Sequence, residues 1–313
     1  MKLVALFSVV VCVAFAQVQI TPRGPAIDVI IDGKPFTTFF FGEDTTKPYL
    51  HPLRTASGRI ITRGYPMETL PGEARDHIHQ RSMWFTHGDV NGVDFWGNDA
   101  TQQGQGRKGK IVHRAPMKVN GGKRSGTITG TFEWRDPEGK VLLTEDRTVT
   151  FHSHPTLRMI DFDIRFTATG PVKFGDTKEG SFAMRLTTAL EERKGGKMTN
   201  AEGASGEKQV WGKPSPWVDY SGTLDGEALG VAIFDHPQNP KHPTYWHSRA
   251  YGLFAANIFG ERDFFSDKTR DGSLAVEPGK SIRFRYRILI HPGDTASAGI
   301  PAKYREYTHP SSN

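Results

Sequence analysis

Apolar residues recur along this chain mainly at every second position, the period of a half-buried strand rather than of a helix. Over 281–291, Ile282, Phe284, Tyr286, Ile288 and Ile290 share one face, and Arg283, Arg285, Arg287 and His291 the other. Over 157–167, Ile160, Phe162, Ile164 and Phe166 alternate with Asp161, Asp163, Arg165 and Thr167. Over 127–134, Ile128, Phe132 and Trp134 alternate with threonines and Glu133. The same signal predicts strands at 26–31, 35–41, 110–118, 140–151, 181–189, 229–235 and 251–257. Turn sequences separate them, among them Asp32-Gly33, Asn120-Gly121-Gly122, Asp136-Pro137-Glu138-Gly139 and Glu277-Pro278-Gly279. Helical periodicity is scarce. Many strands with one polar face and short turns predict an all-β protein, a large antiparallel β-sandwich. No repeat or linker interrupts it, so 17–313 is expected to form one domain, the sandwich itself running from about 18 to 306.

The first residues do not fit that pattern. Met1-Lys2 is followed by an apolar run from Leu3 to Phe15, and Ala14-Phe15-Ala16 has the small-x-small form of a cleavage site. This predicts a secretory signal peptide over 1–16 and a secreted or periplasmic protein. No later segment is long and apolar enough for a membrane span. The one cysteine, Cys12, lies in the segment to be removed. The mature chain is therefore expected to have no disulfide, and any metal would be held by His, Asp or Glu. The formal charge is +6, and the basic residues are dispersed; 103–114 is the densest stretch. Without a basic helix or a binding motif, no nucleic-acid partner is expected.

Chemistry concentrates in two clusters. The first, 76–96, holds His77, His79, His87, Trp84 and Trp96 with Arg81, Asp89 and Asn91; the second, 235–247, holds His236, His242, His247, Asn239, Tyr245 and Trp246. Together they contain six of the twelve histidines and three of the six tryptophans, more than an ordinary core needs. Imidazoles move protons or bind metals near neutral pH. Arg, Asn and Asp hydrogen-bond hydroxyl-rich ligands, and indole and phenol rings offer flat apolar faces. The clusters are expected in loops between strands, converging on one concave site. His77 and His79 form an H-x-H pair that would share a face if it lay on a strand. Acid–base work, substrate contact, structural hydrogen bonding and a divalent metal at His77 and His79 all remain open for it. Arg81 either clamps a carboxylate or pairs with Asp76 or Asp89. Glu179 is the preferred carboxylate, with Asp176 behind it, and Arg185 closes the following strand. No G-x-S-x-G, H-E-x-x-H, phosphate-binding loop or dinucleotide fingerprint occurs.

The runs DHIHQRSMWFTHGDVNGVDFW, KEGSFAMRL and GVAIFDHPQNPKHPTYWHSRAYGLFAANIFG resemble the secreted bacterial family labelled "methane oxygenase PmoA", over nearly the whole mature chain. Gln80 stands where the usual form of that motif has histidine. In architecture, the strand LRMIDFDIRFTATG and a last long strand introduced by Glu277-Pro278-Gly279-Lys280 resemble galactose-mutarotase-like proteins. That resemblance implies a supersandwich acting on sugars, with a histidine acid and a carboxylate base. Lys178-Glu179-Gly180-Ser181-Phe182 lies roughly where those proteins carry a second histidine.

The expectation is a secreted carbohydrate-active lyase, hydrolase or epimerase that binds a small-molecule or oligosaccharide ligand and uses no cofactor. His77, His79, Glu179 and His236 would carry the chemistry. Arg81, Trp84, His87, Asp89, Asn91, Trp96, Arg185, Asn239, Tyr245, Trp246 and His247 would bind substrate. A non-catalytic glycan-binding protein and a His-ligated metal enzyme are the alternatives.

Overall fold

A computed structural model describes residues 17–99, 101 and 106–310. The expected signal peptide and residues 103–105 of the basic stretch lie outside the described residues. Two large antiparallel sheets face each other. The first runs, in spatial order, Val18–Arg23, Ala26–Ile31, Lys34–Phe40, Tyr49–His51, Met83–His87, Gly180–Arg185, Leu253–Asn257 and Tyr245–Ser248. The second runs Lys197–Asn200, Trp217–Leu224, Glu227–Asp235, Ser281–Pro292, Arg158–Ala168, Val141–His152, Ser125–Arg135 and Lys110–His113, with Lys118–Asn120 also paired to Ser125–Arg135.

The core forms where the period-two faces meet. Phe85 of the first sheet contacts Phe166 and Phe284 of the second, with ring centroids 5.3 and 5.7 Å apart. Phe182 stacks on Tyr286 at 4.3 Å, and Phe36 meets Phe151 edge-on at 6.1 Å. Each such ring, removed from water, stabilises the sandwich by about 1.5–3 kcal/mol. On the second sheet's outer face, Asp161 and Asp163 pair with Arg287 and Arg283 across neighbouring strands, as opposite charges do on an exposed face.

The expected strand over 110–118 is broken. Lys110–His113 pairs with 132–135 and Lys118–Asn120 with 127–129. Pro116 lies in the gap and has no N–H for a ladder. The chain ends in a helix, Ile300–Thr308, with Pro301 in its first turn. Ile300, Tyr304 and Tyr307 pack with Trp217, Phe234 and Leu289 on the outer face of the second sheet. No helix among the described residues is long and apolar enough to cross a membrane.

Candidate functional site

The outer face of the first sheet carries a cross-strand row. Tyr49 pairs with Trp84, Trp84 with Ala183, Ala183 with Ala255, and Ala255 with His247. Trp96 and Tyr251 pack on this row. Above it opens a cavity of about 420 Å³ lined from four segments: His77, His79 and Gln80; Asp94, Trp96 and Gly97; Lys178 and Glu179; His247, Arg249 and Tyr251. His79 and His247, one from each sequence cluster, share this concavity.

The clusters are not purely loops, contrary to expectation. Met83–His87 and Tyr245–Ser248 are strands of the first sheet. Alternation then sends Met83, Phe85 and Trp246 into the core between the sheets, and Trp84 and His247 to the outer face.

His77 and His79 do not lie on a strand. They sit in a turn in which His77 has φ 44° and the Gln80 N–H donates to the His77 carbonyl at 2.9 Å. Two buried guanidinium groups hold this turn. Arg63 donates to Asp76 Oδ1 at 2.6 Å and to the carbonyls of Ala74 and His77 at 3.1 and 3.2 Å. Arg185 donates to Gln80 Oε1 at 2.6 Å and to the same Asp76 oxygen at 3.1 Å, under the Tyr251 ring at 4.5 Å. Burial and the neighbouring Arg63 lower the Arg185 pKa to about 10, so it stays charged. Asp76 Oδ2 meets His77 Nδ1 at 3.0 Å. The His77 ring stacks on Tyr251 at 5.3 Å and meets His79 edge-on at 5.8 Å. Arg185, expected to touch substrate, is fully buried behind Gln80 and supports the turn instead. Arg63 was not legible as a site residue, since an arginine after Ile61-Thr62 carries no motif.

Glu179 follows a loop that packs tightly on Gly88, whose N–H donates to the Glu179 carbonyl at 2.7 Å. A Cβ at position 88 would come within 2.8 Å of the Glu179 Cβ, so only glycine fits. Burial pushes the Glu179 carboxyl up, but the surrounding His247, Lys178 and His79 hold it below its ordinary value. Lys178 Nζ donates to Glu179 Oε1 at 2.5 Å. Burial lowers His247 to about 4, against the pull of Glu179. The ring is therefore neutral at pH 7, and Lys178 is the constant partner of the Glu179 charge. His247 Nδ1 lies 2.7 Å from the Lys178 carbonyl. A carbonyl only accepts, so Nδ1 carries the proton and Nε2 the lone pair.

The far wall is Trp96, which meets His79 at 6.1 Å and Trp84 at 5.2 Å. Asp94 accepts from the Trp96 and Gly97 N–H groups, both at 2.8 Å, and pairs with Lys108 at 2.5 Å. Behind it Lys47, fully buried, donates to the Trp96 carbonyl at 2.6 Å and to Asn98 Oδ1 at 2.9 Å. Burial, with Arg81 nearby, pushes its ammonium down to about 7. Sequence reasoning passed over Lys47, Lys178, Arg249 and Tyr251. The last two directly follow the second cluster, whose aromatic and basic character continues to 251.

Of the other expected site residues, none lines the cavity. Arg81 pairs with Asp99, at 2.6 Å, rather than with Asp76 or Asp89. Trp84 is sealed beneath Trp96. His87 is fully buried, bonded to the Gly175 carbonyl at 2.8 Å and packed on Phe259 at 4.5 Å. Asp89 and Asn91 shape a turn: Asp89 accepts the Gly92 N–H, and Asn91 bonds Pro171 and Lys173. Asp176 is tied to the Arg262 and Gly272 N–H groups. In the second cluster, Asp235 accepts from Asn239, Thr244 N–H and His242 at 2.7, 2.9 and 2.7 Å, a structural knot. His236 packs on Tyr307 at 5.4 Å. Tyr245 packs on Phe264 and Phe265, and Trp246 in the core donates to the Ser215 carbonyl. Proximity in sequence misled here, because these side chains leave the backbone in opposite directions.

Among the described residues, no group of three or more His, Cys, Asp or Glu side chains is placed to hold a metal ion. The family described as "Family of unknown function (DUF6807)" matches residues 26–305, a description that carries no activity, methane oxygenation included. No curated protein matches the chain. Solved structures similar in shape include the following three. A complex of the GH36 alpha-galactosidase AgaA of Geobacillus stearothermophilus is 9% identical with a TM-score of 0.44, over 90% of this chain and 41% of that one. The galactose mutarotase related enzyme of Lactobacillus acidophilus is 10% identical with a TM-score of 0.36, over 88% and 97%. The heparan sulfate lyase HepC of Pedobacter heparinus is 12% identical with a TM-score of 0.40, over 90% and 35%. The chain thus spans about two fifths of the length of the alpha-galactosidase and about a third of that of the lyase.

Proposed function

We propose, for a chain that belongs to the family of unknown function DUF6807, that the cavity binds a sugar or glycoside and moves a proton on it. The observation that carries this reading is the pairing of an ionised Glu179 with a neutral His247 in one open concavity, beside His77 and His79. A lone-pair nitrogen and a carboxylate are the groups that proton abstraction requires. Glu179 removes a proton or activates water. His79, with His77 behind it, delivers a proton to the leaving or ring oxygen. His247 accepts a hydroxyl hydrogen bond at Nε2. Trp96 and Tyr251 form the aromatic walls beside the ring. Lysis, hydrolysis and epimerisation all use this set. The protein would work outside the cytoplasm as a single domain, in keeping with its N-terminal sequence.

The test is a panel of hexoses, uronates and glycosides offered to the full chain. Anomer interconversion, new reducing ends and ultraviolet absorbance of unsaturated products are read in parallel, with Glu179→Gln as control. A product that the wild type forms and Glu179→Gln does not supports the proposal. Binding without any turnover makes the protein a glycan binder.

A further inference from the structure

One cation in the cavity has donors left over. Arg249 follows the Tyr245–Ser248 strand and opens the turn back into Leu253–Asn257: its N–H donates to the Leu253 carbonyl at 2.8 Å, and its carbonyl accepts from Gly252 at 2.9 Å. Two residues beyond His247, it lines the same cavity. Its guanidinium is ion-paired from behind, although Nε makes no hydrogen bond. Nε lies 3.1 Å from Glu207 Oε1, and Glu207 is itself held by the Ala250 N–H at 2.5 Å. The plane of the group lies near the rings of Trp211, at 5.6 Å, and Tyr251, at 6.0 Å. Among the described residues, Nη1 and Nη2 have no hydrogen-bond partner, and the side chain is 33% exposed.

The other charges of the cavity are matched. Glu179 is neutralised by Lys178 at 2.5 Å, and Asp94 by Lys108 at 2.5 Å. Asp76, behind His77, is held by Arg63 and Arg185. Arg249 is paired with Glu207 through Nε alone and lines the cavity with a third of its side chain exposed. A guanidinium edge matches two oxygens of a planar carboxylate, and such charge-assisted pairs are about twice as strong as neutral ones.

We propose that the ligand is an acidic sugar, a uronate or a related sugar acid, whose carboxylate docks on Nη1 and Nη2 of Arg249 while its ring occupies the cavity between the Tyr251 edge and Glu179. This rests on the carbohydrate reading above and narrows it. A phosphomonoester brings about two charges and would need a cation besides Arg249, but Lys178 is hydrogen-bonded to Glu179.

The experiment is calorimetric titration of the full chain with glucuronate and galacturonate, with glucose and galactose, and with glucose 6-phosphate. A uronate should bind at least about tenfold more tightly than its parent hexose. Arg249→Gln should reduce uronate affinity to the level of the parent hexose, measured on the same variant. Should that variant fail to fold, the wild type is titrated at low and high salt, where the uronate preference should shrink as the charges are screened. Equal binding of uronate and hexose, a preference that survives Arg249→Gln or high salt, or tighter binding of the sugar phosphate overturns the carboxylate assignment alone. If no sugar binds, neutral or acidic, the carbohydrate reading fails, and this inference fails with it.

Discussion

The His247 imidazole donates from Nδ1 to the backbone carbonyl of Lys178 across 2.7 Å. This bond ties the edge strand of the first sheet to the residue that precedes Glu179. It fixes the tautomer of the ring and its place beside Glu179.

Glu179→Gln and His79→Gln, which remove the two groups proposed to move protons, should each lower turnover by about 10²-fold or more. Glu179→Gln breaks only a half-exposed ion pair with Lys178, so its unfolding free energy should stay within about 1 kcal/mol of wild type. Steady-state rates on the substrate found by the panel, alongside urea denaturation, check both. Wild-type turnover in both variants would remove the acid–base assignment.

Stability should fall in mild acid. Burial lowers both His87 and His247 to about 4 in the folded protein, against about 6.5 unfolded. The unfolded chain thus binds more protons between those values. The contribution of each ring is fully present above about pH 6.5 and is lost as pH falls through about 4. The slope is at most about 1.4 kcal/mol per pH unit for each histidine. Urea midpoints measured between pH 7 and 4 should show the decline, and His87→Gln should show a shallower one.

Lys47 gives the opposite end of the pH scale. Its folded pKa of about 7 lies below the ordinary lysine value of 10.5, so burial penalises the charged form. Wild type should gain stability relative to Lys47→Met as pH rises from about 7 towards 10.5, and the difference should be flat below 7. A parallel pair of stability curves over that range would mean that Lys47 stays protonated throughout.

Arg63→Met should loosen the turn that carries His77 and His79. It leaves the Ala74 and His77 carbonyls and one Asp76 contact without their donor. The expected cost is on the order of 2–4 kcal/mol, with ligand affinity falling as the turn loses its shape. Chemical denaturation and ligand titration of one preparation separate the two effects.

The strands with a polar face are legible in the sequence because water enforces period two: Ile160 to Phe166 and Ile282 to Ile290 alternate, and pair with each other. Met83–His87 is not legible in that way. It is buried on both faces, so no polar position marks its rhythm. His79, Glu179 and His247 can be singled out by residue type, but their convergence cannot. It follows from the register of Met83–His87, Gly180–Arg185, Leu253–Asn257 and Tyr245–Ser248, and from a turn held by Arg63, a residue far from any motif. Composition likewise overcalled the second cluster, where Asp235, Asn239 and His242 satisfy one another.

The cavity shares no residue with the core between the sheets. Along Gly180–Arg185, Phe182 and Met184 face inward, and Ala183 and Arg185 face the site layer; Trp246 and His247 divide in the same way. Adjacent codons on these strands therefore answer to different demands. Ligand preference can drift through residues such as Arg249, Tyr251 and Lys178 while the sandwich stays intact, so relatives of unchanged architecture need not share a substrate.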